Sequence, residues 1–120
     1  MSQAPAELAA ELLHIDAAFA ALMRDLGQDL RAELLDAYWP THDACLAEIG
    51  AALNEGQRYV AEQAAHQLKG ACAQIGAERM AALCRQIEVA LRNDAPAVAC
   101  AAYVELAALG AGVESALQRC

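Results

Sequence analysis

The sequence predicts an all-α protein, an antiparallel up-down four-helix bundle with an additional N-terminal helix. Three observations predict it. Apolar residues make up 58% of the chain and aromatics only 4%, so most of the apolar content is Ala and Leu, the strongest helix formers. Val and Ile are sparse, and no run alternates apolar with polar residues as a half-buried strand would. Long segments with leucines three and four apart are separated by short breaks bearing Gly, Asn or Pro, and short connections between long helices make neighbours antiparallel. A length of 120 residues suffices for a single domain with one core.

The first helix is expected from about Ala6 to Leu26, with a break near His14–Asp16. Leu8, Leu12, Ile15, Phe19, Leu22 and Leu26 form its apolar side, and Gly27 ends it. A second helix spans about Gln28 to Leu53, carrying Leu30, Leu34, Leu35, Tyr38, Leu46, Ile49 and Leu53. Pro40 should kink or split it. Asn54-Glu55-Gly56 is a turn, with Gly56 as the C-terminal cap. The third helix runs from about Gln57 to Ile75 and ends near Gly76; the fourth runs from about Ala77 to Arg92 with Met80, Leu83, Cys84, Ile87 and Leu91 inward. In Asn93-Asp94-Ala95-Pro96, Asp94 is the expected N-cap of the last helix and Pro96 one of its early residues. That helix should extend from about Ala97 to Leu117, loosened at Gly110 and Gly112. Four of these helices are long, and a shorter one is expected over an end of the bundle.

Sixteen acidic residues against eight basic ones leave a net charge of −8. Such a surface repels nucleic acid and anionic membranes and favours a protein partner or a small ligand. No uninterrupted apolar run reaches the roughly 18–20 residues of a membrane span. The start, MSQAPAELAAELL, carries acids where a secretory signal would carry bases. Five cysteines (Cys45, Cys72, Cys84, Cys100, Cys120) lack CxxC spacing and read as free, partly buried thiols in a reducing cytoplasm. Cys120, at the end of the chain, is expected to be exposed.

The third helix concentrates the chemistry, in AHQLKGACAQIGA at residues 65–77. With His66 at 0° and about 100° per residue, Val60, Ala64, Leu68, Ala71 and Ile75 cluster on one side as the core face. Tyr59, Glu62, Gln63, His66, Lys69, Gly70 and Ala73 fall within about 60° of His66 on the other. His66 is therefore expected to face water. Gly70 lies on that exposed face, where internal packing does not require it; a mid-helix glycine costs roughly 1 kcal/mol relative to alanine. With Ala73 it makes a bare patch that another protein's backbone can approach. Lys69 supplies a positive charge beside the imidazole, and Glu62, one turn earlier, is expected to hydrogen-bond and orient the ring. A neutral imidazole nitrogen is a competent phosphoryl acceptor near neutral pH. There is no GxxxxGK[ST] loop and no acidic cluster for a metal beside His66, so nucleotide or metal must come from a partner. His14 and His42 are expected to be surface or hydrogen-bonded residues without a special role.

The run His66-Gln67-Leu68-Lys69-Gly70-Ala71-Cys72, followed by Ile75-Gly76-Ala77, resembles the signature of histidine-containing phosphotransfer (HPt) domains. That pattern is H-x-L-K-G, two small residues, then an aliphatic residue and a glycine. Met80 or Ala81, Leu83, Cys84 and the Ile87-Glu88 pair fit its continuation; upstream, Ile15-Asp16, Leu26-Gly27, Leu34-Leu35 and Ala65 fit as well. The likeness covers about residues 15–118, leaving 1–14 as an N-terminal extension or cap of a single domain over 1–120. It implies a four-helix bundle that takes a phosphoryl group on His66 from a receiver-domain aspartate and hands it to another receiver's aspartate, in bacterial two-component signalling. His66 would be the carrier, Lys69 would neutralise the phosphoryl charge, and Gly70 would give the receiver clearance. Tyr59, Glu62, Gln63 and Ala73, with a stretch of the second helix near residues 41–48, would form the docking surface. The domain would be a phosphocarrier rather than an enzyme, without a cofactor or metal of its own, Mg²⁺ being supplied by the receiver. Its partners would be response-regulator receivers and a hybrid sensor histidine kinase. It would be cytoplasmic, either free or as the cytoplasmic C-terminal part of a membrane sensor kinase. Cys72 occupies a small-residue position and points by angle toward the bundle flank, about 120° from His66.

Two rivals stand beside this. A helical adaptor without chemistry accounts for the leucine pattern but not for Lys69 and Gly70 beside an exposed histidine. A metal site draws on Glu62/His66 and His42/Cys45, at ligand-capable spacings, but HExxH and the paired ExxH motifs are absent, as is the CxxCH of a haem site.

Overall fold

The computed structural model describes residues 3–118. Five helices and no strand occupy them: α1 (Gln3–Leu26), α2 (Arg31–Asn54), α3 (Arg58–Gln74), α4 (Glu78–Arg92) and α5 (Pro96–Gln118). Consecutive helices from α2 to α5 pack on one another, α2 also meets α5, and α1 lies against α4 and α5. Three-residue connections follow α2, α3 and α4. The core runs through all five helices, from Ile15 and Phe19 through Ile49, Leu68, Met80, Leu83 and Ile87 to Leu106 and Val113.

Each short connection uses the same backbone device. Gly56 and Gly76 adopt φ of 69° and 77°, the left-handed conformation that spares a Cβ clash. After α2, the Gln57 N–H reaches the Ala52 carbonyl at 2.8 Å; after α3, the Ala77 N–H reaches that of Cys72 at 2.9 Å. These bonds satisfy carbonyls that the helix end would leave free. After α4 the left-handed residue is Asp94, φ 57°, with the Ala95 N–H on the Ala90 carbonyl at 2.8 Å. Asp94 therefore closes α4 rather than capping α5, because a short polar side chain tolerates this conformation better than most. Pro96 is the first residue of α5, where its missing N–H costs nothing.

Other expectations are also revised. α1 is unbroken at His14–Asp16. Ile15 is fully buried, while His14 pairs with Glu11 and Asp16 with Arg31, so neither polar side chain competes for the helix backbone. At 24 residues α1 equals α2 in length and is no short cap. α2 continues through Pro40, which sits at an exposed position where a carbonyl freed by the ring can be hydrated. Leu26 ends its stripe in solvent. Gly110 and Gly112 do not interrupt α5; a Cβ at Gly110 would lie 2.5 Å from the His42 ring, so this glycine admits an imidazole. His42 is buried and shares a hydrogen bond of 2.9 Å with the Tyr38 hydroxyl; burial lowers its pKa. Cys45, Cys72 and Cys84 are buried free thiols and Cys100 is exposed, while Cys120 lies outside the described residues. α5 is long and apolar enough to cross a membrane by length and composition. The count of uninterrupted apolar runs missed it because Glu105 and Glu114 break the run without lowering the average much.

A buried carboxylate joins α1 to the bundle. Glu11 is fully buried and accepts the backbone N–H groups of Arg79 at 2.9 Å and Met80 at 2.8 Å. α4 has no side-chain cap of its own at Ala77, so a residue 66 positions before Ala77 supplies the anion that the helix N-terminus attracts. His14 Nδ1 stands 3.0 Å from the same carboxylate, a bond that raises the His14 pKa. Replacing Glu11 by Ala leaves two buried donors without acceptors, and unfolding by urea should show a loss of about 2–3 kcal/mol. A loss below about 0.5 kcal/mol would show that water replaces the carboxylate.

Candidate functional site

α3 buries Ala61, Ala64, Ala65, Leu68 and Cys72, with Ile75 just beyond it. Val60 is exposed and Ala71 half-buried, so the core stripe is rotated about 50° from its expected centre. The turn is toward α4, where Lys69 and His66 both reach Glu88. Cys72 consequently points into the core rather than to the flank, its Sγ 3.3 Å from the Tyr38 hydroxyl. Among small residues such as Ala61, Ala65 and Ala71, hydropathy alone cannot choose the buried side.

His66 keeps its expected exposure, with 65% of its side chain accessible. Tyr59, Gln63, Gly70 and Ala73 are exposed on the same helix. A Cβ added at Gly70 would meet nothing within 4 Å, so no contact inside the described chain requires glycine there. The grooves between α1 and α5 and between α4 and α5 do not include His66. The imidazole stands on an open surface, accessible to another protein.

The ring is oriented across helices. His66 Nδ1 lies 3.0 Å from Oε2 of Glu88 on α4, and Glu88 is 2% exposed. Glu62 is not the orienting group: its carboxylate faces the Arg92 guanidinium at 3.4 Å. Arg92 also donates to Glu88 Oε2 at 3.2 Å, and Lys69 Nζ approaches Oε1 at 2.7 Å. The Lys69 charge is thus at the site but engaged by Glu88. Burial by itself raises the Glu88 pKa; the Lys69 ammonium and the His66 ring outweigh it and hold the carboxyl below its ordinary value of 4.5. A carboxylate on Nδ1 favours the tautomer with its proton there, leaving Nε2 as the unprotonated, outward nitrogen. Such a nitrogen can attack an electrophile brought by a visitor.

The α3–α4 pairings run antiparallel, Glu62 with Arg92 and His66 with Glu88. Reasoning from sequence did not give Glu88 or Arg92 a role at the site. A signal was present: Glu88 stands four residues after Cys84 and three before Leu91, inside the apolar stripe of α4. A charged residue in such a stripe needs partners. No three or more His, Cys, Asp or Glu side chains gather as a metal site among the described residues.

The family model for the Hpt domain matches residues 33–119. This chain belongs to the Hpt domain family. Hpt domains are phosphocarriers in phosphorelays, where histidine phosphotransfer involves receiver domains and histidine kinases. The Hpt match opens inside α2, so α1, with its Glu11 contact to α4, precedes the matched residues. No curated protein and no solved structure matches the chain.

The Glu88 carboxyl, depressed in the fold, gives stability that is complete above its ordinary value of 4.5 and is lost as pH falls through its lowered value. Compared with Glu88→Gln, the wild type should hold a constant advantage in urea stability above about pH 5.5 that shrinks steadily below about pH 4.5. An advantage unchanged down to about pH 3 would mean that these partners do not depress the carboxyl.

Proposed function

We propose that His66 Nε2 accepts a phosphoryl group from the aspartate of one receiver domain and delivers it to the aspartate of another. One observation carries this: an exposed imidazole whose Nδ1 is held at 3.0 Å by a buried carboxylate, in a chain of the Hpt family. In the accepting step the Nε2 lone pair forms the N–P bond as the P–O bond of the aspartyl phosphate breaks. The aspartate leaves with the electron pair. The Nδ1 proton stays on the ring, and the negative charge of Glu88 offsets the positive charge the ring gains. Delivery reverses these steps. Lys69, paired with Glu88 in the unphosphorylated chain, is the cation on α3 that turns to the phosphoryl oxygens when the group arrives.

Gly70 and Ala73 give the receiver's backbone clearance, and Tyr59, Glu62 and Gln63 belong to the contact surface. Any Mg²⁺ belongs to the receiver's pocket, and this chain contributes the nucleophile and its orientation. The scaffold is an up-down bundle of α2–α5 with α1 added along α4 and α5, and it works in the cytoplasm as a carrier between a hybrid sensor kinase and a response regulator.

A receiver domain loaded with radiolabelled phosphate should transfer label to the wild type and not to His66→Gln, and the label should be lost in acid as a phosphoramidate is. Wild type that takes no label from any receiver tested would leave the adaptor reading in place. Gly70→Gln should keep the helical circular dichroism and melting temperature of the wild type while accepting label at least about tenfold more slowly. A normal rate in that variant would show that clearance at Gly70 is not needed.

A further inference from the structure

α3 and α4 carry five of the eight basic residues (Arg58, Lys69, Arg79, Arg85, Arg92) and three of the sixteen acidic ones (Glu62, Glu78, Glu88). That is a net of +2 within a chain of net −8. Arg79 is turned toward Glu7 and Glu105, away from the site. Of the other two basic residues of α4, Arg92 meets Glu88, the partner of His66, and Arg85 lines the outer groove between α4 and α5 two turns before Arg92. Arg92 touches Glu62 and Glu88 and stays 60% exposed. Continuing the antiparallel register of the Glu62–Arg92 and His66–Glu88 pairs brings Arg85 level with Lys69 and Gly70. Arg85 is exposed and has no ion-pair partner among the described residues. Beside it, exposed Val89 and Val98 line the groove between α4 and α5.

α2, on the other side of α3, has the opposite character. Its one basic residue, Arg31, pairs with Asp16, and residues 41–48 turn Asp43 and Glu48 to solvent while burying His42 and Cys45. A partner that brings a phosphoryl group to His66 presents at least that anion. It would meet repulsion along α2 and attraction along α4.

We infer that the second half of the docking surface is the α4 flank, Arg85 and Arg92 with Val89, and that it takes an acidic rim on the receiver, not the 41–48 stretch of α2. This rests on the phosphocarrier role of His66. Arg85 acts as a specificity-determining residue: it steers and orients the partner and takes no part in the N–P bond.

The test uses two donors. Phosphoramidate, a small molecule, loads the histidine without docking; a panel of receivers charged with acetyl phosphate loads it through docking. Arg85→Glu should take label from phosphoramidate at the wild-type rate. From the receiver that loads wild type best, it should take label at least about tenfold more slowly at low salt, a gap that narrows as salt is raised. Glu48→Lys on α2 should stay within about twofold of wild type with both donors. If wild type takes no label from either donor, the phosphocarrier role itself fails. If wild type is loaded by receivers but Arg85→Glu keeps the wild-type rate, or Glu48→Lys changes it as much, the α4 assignment is overturned. Loading by phosphoramidate and by no receiver also overturns it.

Discussion

The site depends on one buried carboxylate. Glu88 is nearly inaccessible to water, and taking such a charge out of solvent costs several kcal/mol unless partners surround it. Three do: the His66 ring, the Lys69 ammonium and the Arg92 guanidinium. Two of these stand on α3 and one on α4, so the need of one ion fixes the rotation of α3 against α4. The same need holds the imidazole at its Nδ1 and leaves its other nitrogen outward. With two full positive charges on the carboxylate, the pull on the ring is shared rather than concentrated.

The scaffold tolerates this because its side chains are small. Ala61, Ala64 and Ala65 line the inner face of α3, which lets helices approach closely and leaves the polar contacts to choose the register. Glycines serve the same end elsewhere: Gly50 lies against Tyr103, whose hydroxyl donates to the Leu46 carbonyl, and Gly110 faces His42. In each case a large polar side chain enters a packed interface because the facing residue has no Cβ. Glu11 is a second buried anion working between helices, there as the cap of α4. Among the described residues, two of the three buried polar side chains are thus carboxylates with partners on another helix: Glu11 of α1 on α4, and Glu88 of α4 on α3.

Charge is distributed as unevenly as burial. α4 exposes Arg85 and Arg92, and α2 exposes Glu33, Asp36, Asp43 and Glu48, with the histidine of α3 between the two helices. The exposed side of α3 is thus bordered by fields of opposite sign, which gives an approaching protein an orientation before any contact forms.

Helix number and kind, the turns at Gly27, Gly56 and Gly76, the start of α5 at Pro96, and the exposure of His66 and Gly70 were legible in the residues, because each depends on local periodicity or backbone chemistry. That Tyr59, Gln63 and Ala73 share this exposed face of α3 was legible for the same reason. What the residues alone misjudged was relational. Glu62 looked like the ring's partner because it is one turn away, but Arg92 claims it. Asp94 looked like a cap for α5, but it closes α4. Sequence by itself determined which side chains share a face and where helices end, since those depend on neighbours in the chain. Only the tertiary structure decided which carboxylate meets the imidazole, how far α3 is turned and which flank is cationic, since burying a charge forces a choice among partners that lie far apart in sequence.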